Sequence, residues 1–123
     1  MILVDTSVWI GHLRQTDAQL VQLLNAGQVL VHPFIIGELA LGNLGNRAVM
    51  LGALRDLPEV AMAMDDEVIQ FIETHSLYGM GIGYIDAHLL ASVRLTPGAR
   101  LWTHDKRLRT ASVQLGMAET LPH

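Results

Sequence analysis

Ile2-Leu3-Val4-Asp5-Thr6-Ser7-Val8-Trp9-Ile10 opens the chain and sets its frame. Three apolar residues in a row, without alternation, read as a short strand covered on both faces, as in a parallel sheet between helices. Asp5 follows at once, and Thr6 or Ser7 can cap a helix through Trp9, Ile10 and Leu13. The same grammar returns in Leu101-Trp102-Thr103-His104-Asp105, where a strand over residues 100–103 meets an acid and then a helix over 105–115.

Working outward, Thr16 and Asp17 open a second helix that ends at Asn25-Ala26-Gly27, before a strand over 28–31. Pro33 suits the start of a helix over about 34–41, followed by one over 46–54. A strand over 59–63 is expected next, then helices over 65–77 and 84–95, and a last short strand over 118–121. Strands alternating with helices predict an α/β fold, a short central parallel sheet in a three-layer α/β/α arrangement. Such sheets bind ligands beyond the carboxyl ends of their strands, which is where Asp5 and Asp105 fall.

At 123 residues the chain has the size of one domain, taken here as 1–123, with no repeat or linker. It is 50% hydrophobic and only 16% charged, against roughly 25% in typical domains. Disorder is excluded, and so few charges leave apolar surface for a partner or a second copy. With no cysteine, thiolate metal sites and thiol nucleophiles are excluded. No apolar run approaches the ~18 residues of a membrane helix, and the start lacks a basic segment, so a cytoplasmic protein is expected. The net charge of −4 argues against a broad basic nucleic-acid face. Lys106, Arg107 and Arg109 form the one local basic cluster.

The twelve acids differ in context. Asp65, Asp66 and Glu67 sit in a helix's first turn, where carboxylates cap and complement the dipole, and Asp17 is similar. Four others are out of place. Asp5 and Asp105 end strands, while Glu38 and Asp86 sit among apolar helix neighbours, Phe34, Ile35 and Leu41 for the first and Leu89, Leu90 and Val93 for the second. An unpartnered buried carboxylate costs several kcal/mol or raises its pKa. No cation lies at helical spacing to relieve Glu38, and Arg94 is too far along to pair with Asp86. A divalent cation shared by the four would relieve all of them, and oxygen-only ligands favour Mg²⁺ or Mn²⁺ over zinc.

The ordered set resembles the PIN-domain nucleases and, among them, the VapC toxins of toxin–antitoxin pairs. Ile2-Leu3-Val4-Asp5-Thr6-Ser7 is similar to the family's first strand and acid, Gly37-Glu38-Leu39 to its second, Gly83-Tyr84-Ile85-Asp86-Ala87 to its third. Leu101-Trp102-Thr103-His104-Asp105 is similar to the T-x-D segment that carries the fourth. The resemblance covers residues 2 to about 116. It implies a Mg²⁺- or Mn²⁺-dependent endoribonuclease with Asp5, Glu38, Asp86 and Asp105 as its acidic site and Thr103 bonded within it. Ser7 or Thr6 would help near Asp5. It also implies a homodimer and a VapB-type antitoxin as protein partners. Lys106, Arg107 and Arg109 would meet RNA phosphates, with Arg14 and Arg100 as weaker candidates.

Two alternatives remain at this stage. A phosphatase with an aspartyl nucleophile would begin with D-x-D, but Ser7 replaces the second acid. A PIN-like module could bind RNA or protein without cutting, although all four acids are present. Gly79, Gly81 and Gly83 lack the spacing of a phosphate loop, so a flexible turn before a helix is expected there. His88 lies two residues from Asp86, on another helix face. Trp9 and Trp102 are expected in the core.

Overall fold

A computed structural model describes residues 1–120. In chain order the elements are β1 (Ile2–Val4), α1 (Thr6–Arg14), α2 (Ala18–Asn25), β2 (Val29–Leu30), α3 (Pro33–Ala40) and α4 (Arg47–Arg55). They continue with α5 (Asp65–Thr74), α6 (Tyr84–Leu95), β3 (Arg100–Trp102) and α7 (Lys106–Gln114). The three strands are parallel in the order β2-β1-β3, with Leu3 opposite Leu30 and Leu101. Helices pack around this small sheet in the expected three-layer α/β/α arrangement.

β1 is central. Leu3 and Val4 are fully buried, and Leu101 and Trp102 beside them nearly so. The chain leaves β1 for β2 on one side and returns to β3 on the other, so the crevice past the carboxyl ends of β1 and β3 is a switch point. The Asp5 N–H closes that end by donating to Trp102 O at 2.9 Å. The most deeply set helix is α6, buried at every residue from 87 to 93. Asp86 sits in its first turn, at the boundary of the core. Trp9 and Trp102 both pack inside, as expected.

Three expectations need correction. The strand expected over 59–63 is reduced to a single bridge between Glu59 and Val31. Beyond it, the N–H groups of Ala61 and Ala63 turn to Thr96 Oγ1 and Ser92 Oγ, so hydroxyls on and just after α6 replace a sheet neighbour. The strand expected over 118–121 is likewise one bridge, Ala118 to Leu101, and residue 121 lies outside the described residues. Finally, α5 stops at Thr74, short of 77, because Ser76 takes a left-handed φ of 54° and Leu77 N–H turns back to Ile72 O.

Candidate functional site

Asp5 is the buried anchor, 6% exposed. It is also the N-cap of α1, a role expected of Thr6 or Ser7. Its Oδ2 accepts from Ser7 Oγ at 2.7 Å, from Thr103 Oγ1 at 2.8 Å and, more weakly, from Ser7 N–H at 3.4 Å. The two hydroxyls are themselves fixed. Ser7 Oγ accepts from His104 N–H and Thr103 Oγ1 from Asp105 N–H, both at 3.0 Å. Each hydroxyl has one proton, and both protons go to Asp5. Strand β1 and the segment after β3 are thus tied together through one carboxylate oxygen.

The other three acids are held more lightly. Asp105 caps α7, its Oδ1 accepting from Leu108 N–H at 2.9 Å. Asp86 Oδ2 accepts from Gly83 N–H at 3.3 Å, at the start of α6. Glu38 Oε1 accepts from Thr6 Oγ1 at 2.7 Å. One pattern covers all four. Each carboxylate has one oxygen fixed by a protein donor, and among the described residues no hydrogen bond reaches the other. None of the four forms an ion pair there either; the pair that does form is His88 with Asp65.

The acids feel one another. Asp86 is half-buried, and its pKa is raised by that burial first, then by the negative charges of Asp5, Asp105 and Glu38. The Gly83 N–H opposes the shift by favouring the carboxylate. Burial itself divides the set differently from the sequence expectation. Glu38 and Asp105 are exposed, so the cost of burying a charge falls on Asp5 and Asp86. Glu38 turns away from its apolar neighbour Ile35, which is buried, and reaches Thr6 at the rim.

Among the described residues, no three Asp, Glu or His side chains converge closely enough to ligate one ion directly. The donor chemistry nevertheless suits a hard cation. The set is all oxygen, it offers four oxygens without a protein donor, and Mg²⁺ keeps several waters while using only one or two carboxylates. Lys106 and Arg107 are exposed next to Asp105, and Arg109 is partly so. Arg14 and Glu38 line a groove of about 530 Å³ with Ile10, Leu13 and Met50.

Sequence reasoning missed a second polar cluster beside the acids. Asp65 begins α5 as expected, but it also accepts from Tyr84 Oη at 3.1 Å and pairs with His88 Nε2 at 3.0 Å. The His88 ring is held between Phe34 and Tyr84, with centroids 4.9 and 4.7 Å away. His32 caps α3 by accepting from Phe34 N–H at Nδ1, 3.0 Å. Burial, and then the charge of His88, lower its pKa to about 4. The signal was present in His32-Pro33, a side-chain acceptor directly before a helix-starting proline.

Residues 2–113 match the PIN domain family. The chain belongs to the PIN-domain family. Within it, the chain is 50% identical over 118 residues to Ribonuclease VapC32 of Mycobacterium tuberculosis, in strain CDC 1551 / Oshkosh and again in strain H37Rv. The match covers 96% of this chain and 95% of each relative, which sets this PIN domain among the VapC-type proteins. No helix of the described residues is long and apolar enough to cross a membrane.

Proposed function

We propose that this PIN domain, one domain over 1–123, is a Mg²⁺- or Mn²⁺-dependent endoribonuclease and the toxin of a VapBC-type pair. The observation that carries the reading is the set of four half-anchored carboxylates, without a cationic partner among the described residues, at the carboxyl end of a parallel sheet. Likeness to a protein named a ribonuclease supports it. Family membership leaves the aspartyl phosphatase without support, and the intact acid set weighs against a module that only binds.

When bound, the cation would offset negative charge on the phosphate and lower the pKa of a water. Asp5 and Asp86 are the proposed direct ligands, and Glu38 and Asp105 would act through waters. Thr103 and Ser7 hold Asp5 Oδ2, which leaves Oδ1 without a protein donor among the described residues. Glu38 or Asp105 would accept a proton from the attacking water. Water oxygen bonds to phosphorus, the bond to the 3′ oxygen breaks, and that oxygen takes up a proton. The products carry 5′-phosphate and 3′-hydroxyl ends. Lys106, Arg107 and Arg109 would contact RNA phosphates.

A VapB-type antitoxin and a second copy of the chain are the proposed protein partners, in the cytoplasm. Exposed apolar residues such as Leu41 and Val49 suit such contacts. Total cellular RNA incubated with purified, antitoxin-free protein tests the reading. Discrete cuts with 5′-phosphate ends are expected with Mg²⁺ or Mn²⁺, and none with EDTA or with Asp86→Asn. Cyclic 2′,3′-phosphate ends, or cuts unchanged by Asp86→Asn, would overturn it.

A further inference from the structure

The exposed basic side chains that follow Asp105 are not equivalent, because Arg107 has a seat. A Cβ placed on Gly81 would lie 2.9 Å from Arg107 Cδ and Nη1 and 3.2 Å from its Cζ. Real Cβ atoms do not approach neighbours so closely, so Arg107 occupies the space a side chain at 81 would fill. Gly79 supplies the contrast. Its backbone is left-handed like that of Gly81, with φ 75° against 77°, yet nothing lies within 4 Å of its Cβ position. Backbone conformation favours glycine at both sites, but only at Gly81 does the missing side chain make room for another residue.

The location ties this contact to the acids. Gly81 stands two residues before Gly83, whose N–H holds Asp86. Arg107 stands two residues after Asp105, in the first turn of α7. The contact therefore joins the starts of the two helices whose acids act on each other. Among the described residues Arg107 enters no ion pair. An exposed guanidinium that lies over Gly81, without an ion pair among the described residues, is open to an oxyanion such as a phosphodiester.

We infer that Gly81 is a positioning residue: it seats Arg107 at the edge of the acidic site, where the guanidinium holds the phosphate being cut. The inference rests on the ribonuclease reading and adds a division of labour to it. Arg107 offsets carboxylate repulsion at the reacting phosphate, so its placement governs kcat, whereas loosely held surface charge would govern only affinity.

The test compares Gly79→Ala, Gly81→Ala, Arg107→Ala, Arg107→Lys and the Gly81→Ala/Arg107→Ala double variant. The readouts are Tm, and kcat and KM on an RNA that the wild type cuts with Mn²⁺. Gly79→Ala and Gly81→Ala should lose similar thermal stability, since both carry the same backbone strain. Gly81→Ala alone of that pair should lose kcat, by about tenfold or more. Arg107→Ala should match it, and the double variant should cut no more slowly than Arg107→Ala. Arg107→Lys, which keeps the charge and loses the planar fork, should also fall in kcat, and it serves if Gly81→Ala does not fold. Gly81→Ala cutting like Gly79→Ala, additive losses in the double variant, or full kcat in Arg107→Lys would each overturn the seat. A wild type without metal-dependent cleavage would instead overturn the ribonuclease reading, and this inference with it.

Discussion

At Asp5, two hydroxyls and a backbone N–H converge on one oxygen of a buried carboxylate. That concentration fixes the side chain and keeps its other oxygen clear of protein donors. Removing one donor should therefore loosen this proposed metal ligand before it harms the fold. Thr103→Val is expected to cost about 1 kcal/mol of stability. The same change should lower cleavage roughly 10- to 100-fold, in line with other residues that orient metal ligands. Chemical unfolding beside initial rates separates the two losses. Asp86 carries the opposite strain. A carboxyl whose folded pKa is raised withdraws stability as the pH climbs from the ordinary carboxylate range through the raised value. Asp86→Asn keeps an acceptor for Gly83 N–H and removes the charge, so it should raise the Tm of the metal-free protein at pH 7 while abolishing cleavage. A lower Tm would contradict a net cost of holding the charged carboxylate at position 86.

At the scale of elements, the starts of helices carry most of the proposed site. Asp5 caps α1, Asp86 lies in the first turn of α6, and Asp105 caps α7. Helix α3, which presents Glu38, is capped by His32 instead. That cap requires an unprotonated Nδ1, and its pKa of about 4 lies below the ordinary 6.5. A histidine depressed in the fold contributes stability that is whole above pH 6.5 and declines as the pH falls toward 4. The loss amounts to roughly 3 kcal/mol across that window. In His32→Asn the cap can persist without titrating, so unfolding free energies should fall less steeply from pH 6.5 to 4, although the smaller side chain lowers stability overall. An unchanged slope would assign the acid sensitivity elsewhere.

These elements also mark what the sequence made legible. Ile2-Leu3-Val4-Asp5 and Leu101-Trp102-Thr103-His104-Asp105 were readable because short buried strands are uninterrupted apolar runs and the acids after them break the pattern. The edge segments at 59 and 118 were misread because residues there bond to hydroxyls on and just after α6 or form one bridge. Glu38 was expected on the apolar face of its helix and is instead exposed. Helical spacing placed it with apolar neighbours, but its exposure and its bond to Thr6 depend on the packing of α1 against α3. The link from Asp65 to His88 crosses 23 positions, and the contact of Arg107 with Gly81 crosses two elements. Neither has a local signature.

For the whole molecule, a net charge of −4 has to meet a polyanion. Among the described residues, the basic cluster next to the acids is Lys106, Arg107 and Arg109, so counterion release should be modest. Binding of single-stranded RNA is expected to weaken with salt at a log–log slope of about −2, three phosphates at roughly 0.7 each. A slope several times steeper would reveal a basic face that these residues do not provide. On the proposed reading, recognition would depend on the few cations near the acids and on a hydrated cation held by the carboxylates.

The most direct measurement is Mn²⁺ binding to the antitoxin-free protein, followed by the loss of the free-ion resonance signal, in the wild type, Asp5→Asn and Asp86→Asn. The account predicts saturable binding by the wild type that weakens at least about tenfold in each variant. Equal binding by all three, or none by the folded wild type, would contradict the claim that these carboxylates form a metal site.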